Sequence, residues 1–587
     1  MNFLRHILVP SLALLILAGC ESVSGPEAEP GEVAAGKVLD EEAVHQPAPP
    51  PRPHPDDYPV SPFPKDTLYG LLVAEVAGYR GEFDTALEKY VEATLQTRDP
   101  GVAARATRLA TYLKRDEAAL QTAKIWAEED PDDIDAHRHA ADQLMKTGDL
   151  EGAVYHLEAV KRLGGLADFP MFAYRAANLD DQSRDALLEV MTRMLEEFPD
   201  DEQLMFSKAV LLEQSGRLTE ALELADQMLA ETMNINVIIL KVTALKDLHR
   251  SSDAISFLED AIEELSENRR LRLIYARLLF EADRLDDARA QYELVLTQAP
   301  GDGDILFALA LISMEQGDDQ IAKDYLQQMV RWNRRAGEAH FYLGSLAEKN
   351  NEIPTAIKHY RQVGTGYEYL PALSRIVSLM ADDGRISEAR SYLETMRAEQ
   401  PQRFNQIVMV EAQMLSERGL EDEVFALMDL AIENEPGNID LLYFRAMTGE
   451  KFGRLDILER DLDRIIELDP DNADALNALG YTLTDQTDRH DEALSLIQRA
   501  LEIKPNEAAF IDSLGWVMYR LENFDEAIMH LRRALELLPN DEVAAHLGEV
   551  LWAVGEKAEA HKVWDKALEL KPDSDILKRV IERLIGQ

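Results

Sequence analysis

One alanine returns along this chain at a nearly constant step. It stands at Ala86, Ala119, Ala153, Ala186, Ala221, Ala254, Ala288, Ala322, Ala356 and Ala389, passes to Val424 and Leu458, and resumes at Ala493, Ala527 and Ala560. All fourteen intervals are 33, 34 or 35 residues. A period of this length is one supersecondary unit repeated, and it constrains the fold more than any composition figure does. Each unit buries its apolar face only by stacking on its neighbours, so the chain must form an array rather than a set of separate globules.

The spacing inside each period is helical. Apolar residues follow the marker by four positions (Tyr90, Leu258, Tyr292, Leu326, Tyr360, Leu531, Trp564) and by seven (Ala93, Ala261, Val295, Ala534, Ala567). Those offsets lie on one helix face. Five residues before the marker stands Gly81, Gly148, Gly216, Gly317, Gly384, Gly419, Gly453 or Gly555. Glycine accepts the left-handed conformation that closes a helix. Prolines 131, 300, 401, 436, 470, 505, 539 and 572 then end repeats, because proline stops one helix and can start the next.

The pattern resembles the tetratricopeptide repeat (TPR), two antiparallel helices per unit. The clearest block is "NALGYTLTDQTDRHDEALSLIQRALEIKP", from Asn477 to Pro505. There, and in the block that follows, Leu479-Gly480 and Leu514-Gly515 mark where two helices cross without side-chain bulk. The resemblance implies an all-α superhelical solenoid of about fifteen repeats. The least regular block runs from Leu166 to Pro199 behind Gly164-Gly165, which suggests a bend between subarrays. The expected division is 66–165 and 166–572, with 573–587 as an amphipathic capping helix whose lysines and arginines face outward.

The N-terminal sequence is of another kind. Arg5 and His6 precede the apolar run Ile7–Ala18, which as a helix rises only ~18 Å, short of a bilayer core. A positive start and a short apolar run make an export signal over 1–19. It ends "LAGC", which resembles the bacterial lipobox and implies cleavage before Cys20 and acylation of that residue. Cys20 is the sole cysteine of 587 residues. Glu21 follows where the inner-membrane retention signal of such lipoproteins has Asp, so the resemblance implies the periplasmic face of the outer membrane. Eleven of the 25 prolines fall between Glu21 and Lys65, and 20–65 reads as a lipidated, disordered tether. As a coil it would average roughly 40 Å end to end.

Charge narrows the partners. With 61 basic against 109 acidic residues, the formal net charge is −48. Nucleic acid recognition needs a dense basic footprint that is absent here, and anionic lipid would repel the body of the chain. No catalytic or metal-binding motif stands out, and neither enzyme activity, cofactor nor metal is expected. His137 and His139 are splayed by their spacing and read as surface histidines. Asp132-Asp133 and Asp382-Asp383 read as helix caps and dipole partners.

In TPR proteins the first helix of each unit lines the concave groove. The groove positions of that pattern fall here on Arg270, Arg277, Phe307, Phe341, Tyr443, Asn477, Tyr481, Asp512, Trp516 and Tyr519. Aromatic rings beside amide and carboxylate groups suit an extended peptide. Packing between repeats is the competing explanation for the rings. Two basic islands, "ENRRLRLIYAR" and "RWNRRAGEAH", interrupt the acidic chain and could meet acid on a partner or on the array itself.

Lipobox, tether, array and the C-terminal run "LNALGYTLTD…DSLGWVMYRL…HLGEVLWAVGE" together resemble the outer-membrane TPR lipoprotein that binds and activates a periplasmic carboxyl-terminal processing protease. That resemblance implies an adaptor that presents substrates, among them peptidoglycan hydrolases, to a serine protease. Other roles remain open: a scaffold for exopolysaccharide export or for outer-membrane or pilus assembly, and an enzyme that uses the groove as an active site.

Overall fold

The computed structural model describes residues 64–586, so Cys20, Glu21, the export signal and nearly all of the tether lie outside the described residues. Within them the chain forms 31 α-helices and no strand, that is, fifteen antiparallel pairs followed by one last helix, Asp575–Ile585. No described helix is long and apolar enough to cross a membrane.

The helix ends follow from local chemistry. First helices commonly begin behind an Asp or Asn whose side chain accepts a backbone N–H of the first turn. Asp302 accepts from Ile305, Asn438 from Leu441, Asn472 from Ala475 and Asn540 from Val543. Such caps are each worth about 1 kcal/mol. The turn inside each pair closes through a left-handed residue. The eight turn glycines anticipated from the sequence all have φ between 70° and 94°. At the same turn in other repeats Lys114, His249, Asp283, Asn351 and Glu522 adopt φ of 54–62° without glycine's freedom.

Marker residues form the seam between the two helices of a pair. Fourteen of the fifteen are fully buried, Ala86 through Ala560. Ala186 is the exception and is exposed, while Leu187, Met191 and Met194 are buried. The true register of that repeat is therefore Leu187, with intervals of 34 residues to Ala153 and to Ala221. The shift accompanies an unusual pair: a first helix of 7 residues, Phe169–Arg175, a 3-10 turn, and a second helix of 17, Asp181–Glu197. Across from the markers, small residues let helices touch. A Cβ placed on Gly480 would lie 2.7 Å from Ile497 Cγ1, and one on Gly515 would lie 2.6 Å from Leu531 Cγ.

The described chain separates into two compact units, one ending at Gln143 and one beginning at Leu144. The division falls inside the helix Ile134–Thr147, so the 165/166 boundary expected from Gly164-Gly165 lies within the second unit. In the first unit the histidines depart from the surface reading. His137 is buried with Nε2 3.0 Å from the Pro131 carbonyl, and His139 stacks on Trp126 at 5.7 Å. Asp133 is a cap as expected, accepting the Asp135 N–H at 2.8 Å. Asp382 and Asp383 are not N-caps: they end the helix Tyr369–Asp382, and Asp382 takes a hydrogen bond from Arg418 at 2.6 Å.

In the second unit, first helices of successive pairs pack on one another: Ala473–Gln486 against Ala508–Arg520, and that helix against Asp541–Ala553. First helices thus form a shared layer through these C-terminal pairs. The last helix lies on Asp541–Ala553, with Leu577 fully buried and Lys578, Arg579 and Arg583 exposed. It closes the apolar end of the stack with a polar outer face.

Candidate protein-binding surface

The ten groove residues lie on six different first helices of the second unit, and the structure gathers only some of them. Arg270 is exposed at the start of its helix, with Nη1 3.4 Å from Asn236 Oδ1. Arg277 is half-buried near the Tyr292 phenol, which burial, chiefly, raises to about 12. Phe307 is buried beneath the Arg335 guanidinium, which sits 4.2 Å from the ring centre, and beside Tyr342 at 5.3 Å. Phe341 is half-buried between Tyr342 and Tyr360. These four are separate points along the array.

The remaining residues stand on consecutive first helices, Ile439–Lys451, Ala473–Gln486 and Ala508–Arg520. Tyr443 is half-buried, and burial, with Asp474 and Glu450 behind it, pushes its phenol up. Asn477 and Tyr481 are one turn apart on the next helix. Asn477 Oδ1 is buried and has no hydrogen-bond partner among the described residues. Tyr481 is half-buried, with Oη 3.5 Å from Glu542 Oε1. Burial first, then the charges of Glu542, Asp485, Asp512 and Glu450, raise its phenol far above the usual tyrosine range. Glu450 is itself raised, by burial and by Asp485 and Glu542. This part of the first-helix layer is an acidic wall with a tyrosine in it, and it favours a positively charged or N–H-rich visitor.

Asp512 and Trp516 occupy a different environment. Both are buried, at 6% exposure each. The residue that covers them is His546, from the helix Asp541–Ala553. Its imidazole stacks on the Trp516 ring at 4.3 Å and 20°, and its Nδ1 lies 3.0 Å and 3.1 Å from the two Asp512 oxygens. Trp516 Nε1 is buried without a hydrogen-bond partner among the described residues. Tyr519, half-buried, packs against Trp516 at 5.1 Å with its ring tilted by 37°. The Asp512 and Trp516 surfaces are therefore held within the chain, and Tyr481, 6.2 Å from His546, is the more accessible ring of the cluster.

The sequence reading passed over His546, because it falls between the usual groove positions. A signal existed. The residue before the crossing Leu-Gly is Ala478 and Ser513 in the two preceding repeats and His546 in this one. A large polar side chain where the two preceding repeats hold Ala and Ser points to a special contact. Among the described residues no group of three or more metal-ligating side chains converges.

The tetratricopeptide-repeat pattern matches residues 175–234, 247–312, 307–366, 471–540 and 513–575. Across nearly the whole length, the chain is 40% identical to the TPR repeat-containing protein PA4667 of Pseudomonas aeruginosa, over 582 residues that cover 98% of this chain and 96% of that one. This chain is a tetratricopeptide-repeat protein. Two solved structures are similar at lower levels. Yeast Tom70 is 15% identical over 89% of this chain and 95% of its own, with a TM-score of 0.30. TTC0263, a TPR protein of Thermus thermophilus, is 26% identical over 31% of this chain and 98% of its own, with a TM-score of 0.28. As a TPR protein the chain is a protein-interaction scaffold, and its partners are proteins.

Proposed function

We propose that this TPR protein is a non-catalytic adaptor, anchored through acylated Cys20 to the periplasmic face of the outer membrane. There it holds a carboxyl-terminal processing protease and offers it protein substrates such as peptidoglycan hydrolases. The observation that carries the reading is the placement of Tyr443, Asn477 and Tyr481 on consecutive first helices. They form an acidic, tyrosine-bearing surface, on a scaffold that carries a lipobox-like cysteine at position 20. Extended peptide backbone supplies N–H groups to the carboxylates that border Tyr481, and the tyrosine ring offers apolar area beside them.

The adaptor role is tested by pull-down. Tagged mature protein, purified from membranes and analysed by mass spectrometry, should recover a processing protease together with wall hydrolases. Recovery of neither ends the adaptor reading. Replacement of Cys20 by Ser should move the protein from the membrane to the soluble periplasmic fraction; unchanged membrane association would refute the lipid anchor.

A further inference from the structure

A second surface lies away from the first-helix layer, in the connections between one pair and the next. The helix Asp319–Arg331 ends in a short link to Ala336–Lys349, and two non-glycine residues of that link, Asn333 and Arg335, have φ of 48°. Such conformations cost of order 1 kcal/mol each and persist only where the surroundings impose them. The surroundings here are visible. Gly303 lies under the link so closely that a Cβ on it would be 2.8 Å from Arg334 Cβ, and Gly301 faces the Trp332 ring. Arg335 is pinned by Asp304, by Glu338 and by the face of Phe307.

The pinned link holds its other side chains outward. Trp332 is 57% exposed. The guanidinium groups of Arg331 and Arg334 are exposed and make no hydrogen bond or ion pair among the described residues. That is unusual in a chain with 109 carboxylates. Arg217, Arg250, Arg284, Arg385 and Arg489 each find an acid three residues on. In "RWNRRAGEAH" Arg335 takes the nearby Asp304 and Glu338, and leaves Arg331 and Arg334 none.

The next connection continues the surface. The second helix of the following pair, Ile353–Tyr360, has only 8 residues, and the loop after it comes beside the first link, with Gly364 N 3.6 Å from a Cβ placed on Gly337. This loop carries Tyr367 at 99% exposure and is held from its far side by Arg403, whose Nη2 donates to the Thr365 carbonyl at 2.7 Å. Two exposed aromatic rings and two free arginines thus lie on two restrained connections that adjoin at Gly337 and Gly364.

We propose that Arg331, Trp332, Arg334 and Tyr367 form a docking surface for an acidic protein segment carrying an apolar side chain among its carboxylates. Guanidinium groups pair with carboxylates through two parallel hydrogen bonds, and Trp, Tyr and Arg are the residues that dominate protein interfaces. Charge complementarity selects the occupant. The surface is a cationic island on a chain of net charge −48, so an extended anionic sheet such as a membrane would be repelled by the surrounding residues, whereas a narrow acidic segment would not. The surface is independent of the groove and of the adaptor reading.

The test uses the full mature chain and two fluorescent peptides, one a short Asp/Glu-rich segment with a central Phe-Leu pair, the other its Asn/Gln counterpart. The acidic peptide should bind at least about tenfold more tightly, and salt should weaken it. Arg331→Glu with Arg334→Glu, and separately Trp332→Ala, should each lower its affinity about tenfold or more at unchanged helix content, while Tyr481→Ala should not. Equal binding of the two peptides, or binding indifferent to these variants, overturns the proposal. So does either competing occupant: sedimentation with phosphatidylglycerol vesicles that the double variant abolishes, or a dimer in light scattering that it dissolves.

Discussion

At the scale of single residues, the array depends on places where a side chain is too large or absent. Glu522 closes its turn with φ of 62°, where eight other repeats use glycine. A left-handed conformation costs an L-residue about 1–2 kcal/mol, partly offset by the greater freedom glycine loses on folding. Glu522→Gly should therefore stabilise the C-terminal repeats by about 1 kcal/mol, read as a higher urea midpoint at unchanged slope. Gly515 is the reverse case. Its missing Cβ is what admits Leu531, and Gly515→Ala should cost about 1–3 kcal/mol in the same measurement. Both positions were legible in the sequence, one as a turn site and the other in Leu514-Gly515, because each lies in a feature that repeats. Ala186 shows the limit of that reading. In the repeat with the 7-residue first helix, alanine identity misled and only burial reveals Leu187 as the true marker.

Between elements, two histidine contacts respond to pH in opposite directions. His546 joins Asp541–Ala553 to Ala508–Arg520. Burial lowers its imidazole, but the hydrogen bond and charge of Asp512, with Glu542 and Glu549 behind, outweigh it and raise the group above the ordinary value. The contact contributes fully below the unfolded histidine value and is lost as pH rises through the raised one. His340 and His359 face each other within one pair, Nδ1 to Nδ1 at 3.1 Å. Burial lowers both, and the charges of His340, Lys358 and Lys323 lower His359 further. Their contribution is complete above the unfolded value and fades as pH falls through it toward the depressed ones. Urea midpoints taken from about pH 5 to 8 should show His546→Gln removing a loss of stability on the alkaline side. His359→Gln should remove one on the acid side. Identical profiles for wild type and both variants would contradict these assignments. A buried ion pair acts at the same scale: Arg445 on Ile439–Lys451 reaches Asp461 at 2.6 Å and Asp429 at 2.5 Å, and so ties three helices in one register.

Over the whole molecule, the question is which part of the first-helix layer a partner can reach. Trp516 looked like a groove residue in the sequence and is buried against His546. Trp516→Ala would open a cavity worth about 3–5 kcal/mol, so loss of binding in that variant would report on folding. Tyr481 is the cleaner probe, being half-buried and bordered by Glu542. In the pull-down, Tyr481→Ala should weaken capture of the protease or its substrates severalfold at unchanged helicity. Capture equal to wild type moves the binding surface elsewhere in the array. The acidic bulk of the chain should make that capture sensitive to salt, since long-range steering by net charge is screened within about 10 Å at 0.1 M.

The sequence by itself determined the helix pairs, their number, the buried seam and the polar last helix. All of these follow from periods of 3.6 and 34 residues, which are visible within one repeat or between two copies of it. The tertiary structure decided what happens between residues a repeat apart. It brought His546 over Asp512 and Trp516, tied Arg445 to Asp429 and Asp461, and left Arg331 and Arg334 without an acid. The physical reason is that neighbouring repeats meet through side chains whose partners depend on how one helix pair is set against the next, and the repeat pattern alone does not encode that angle.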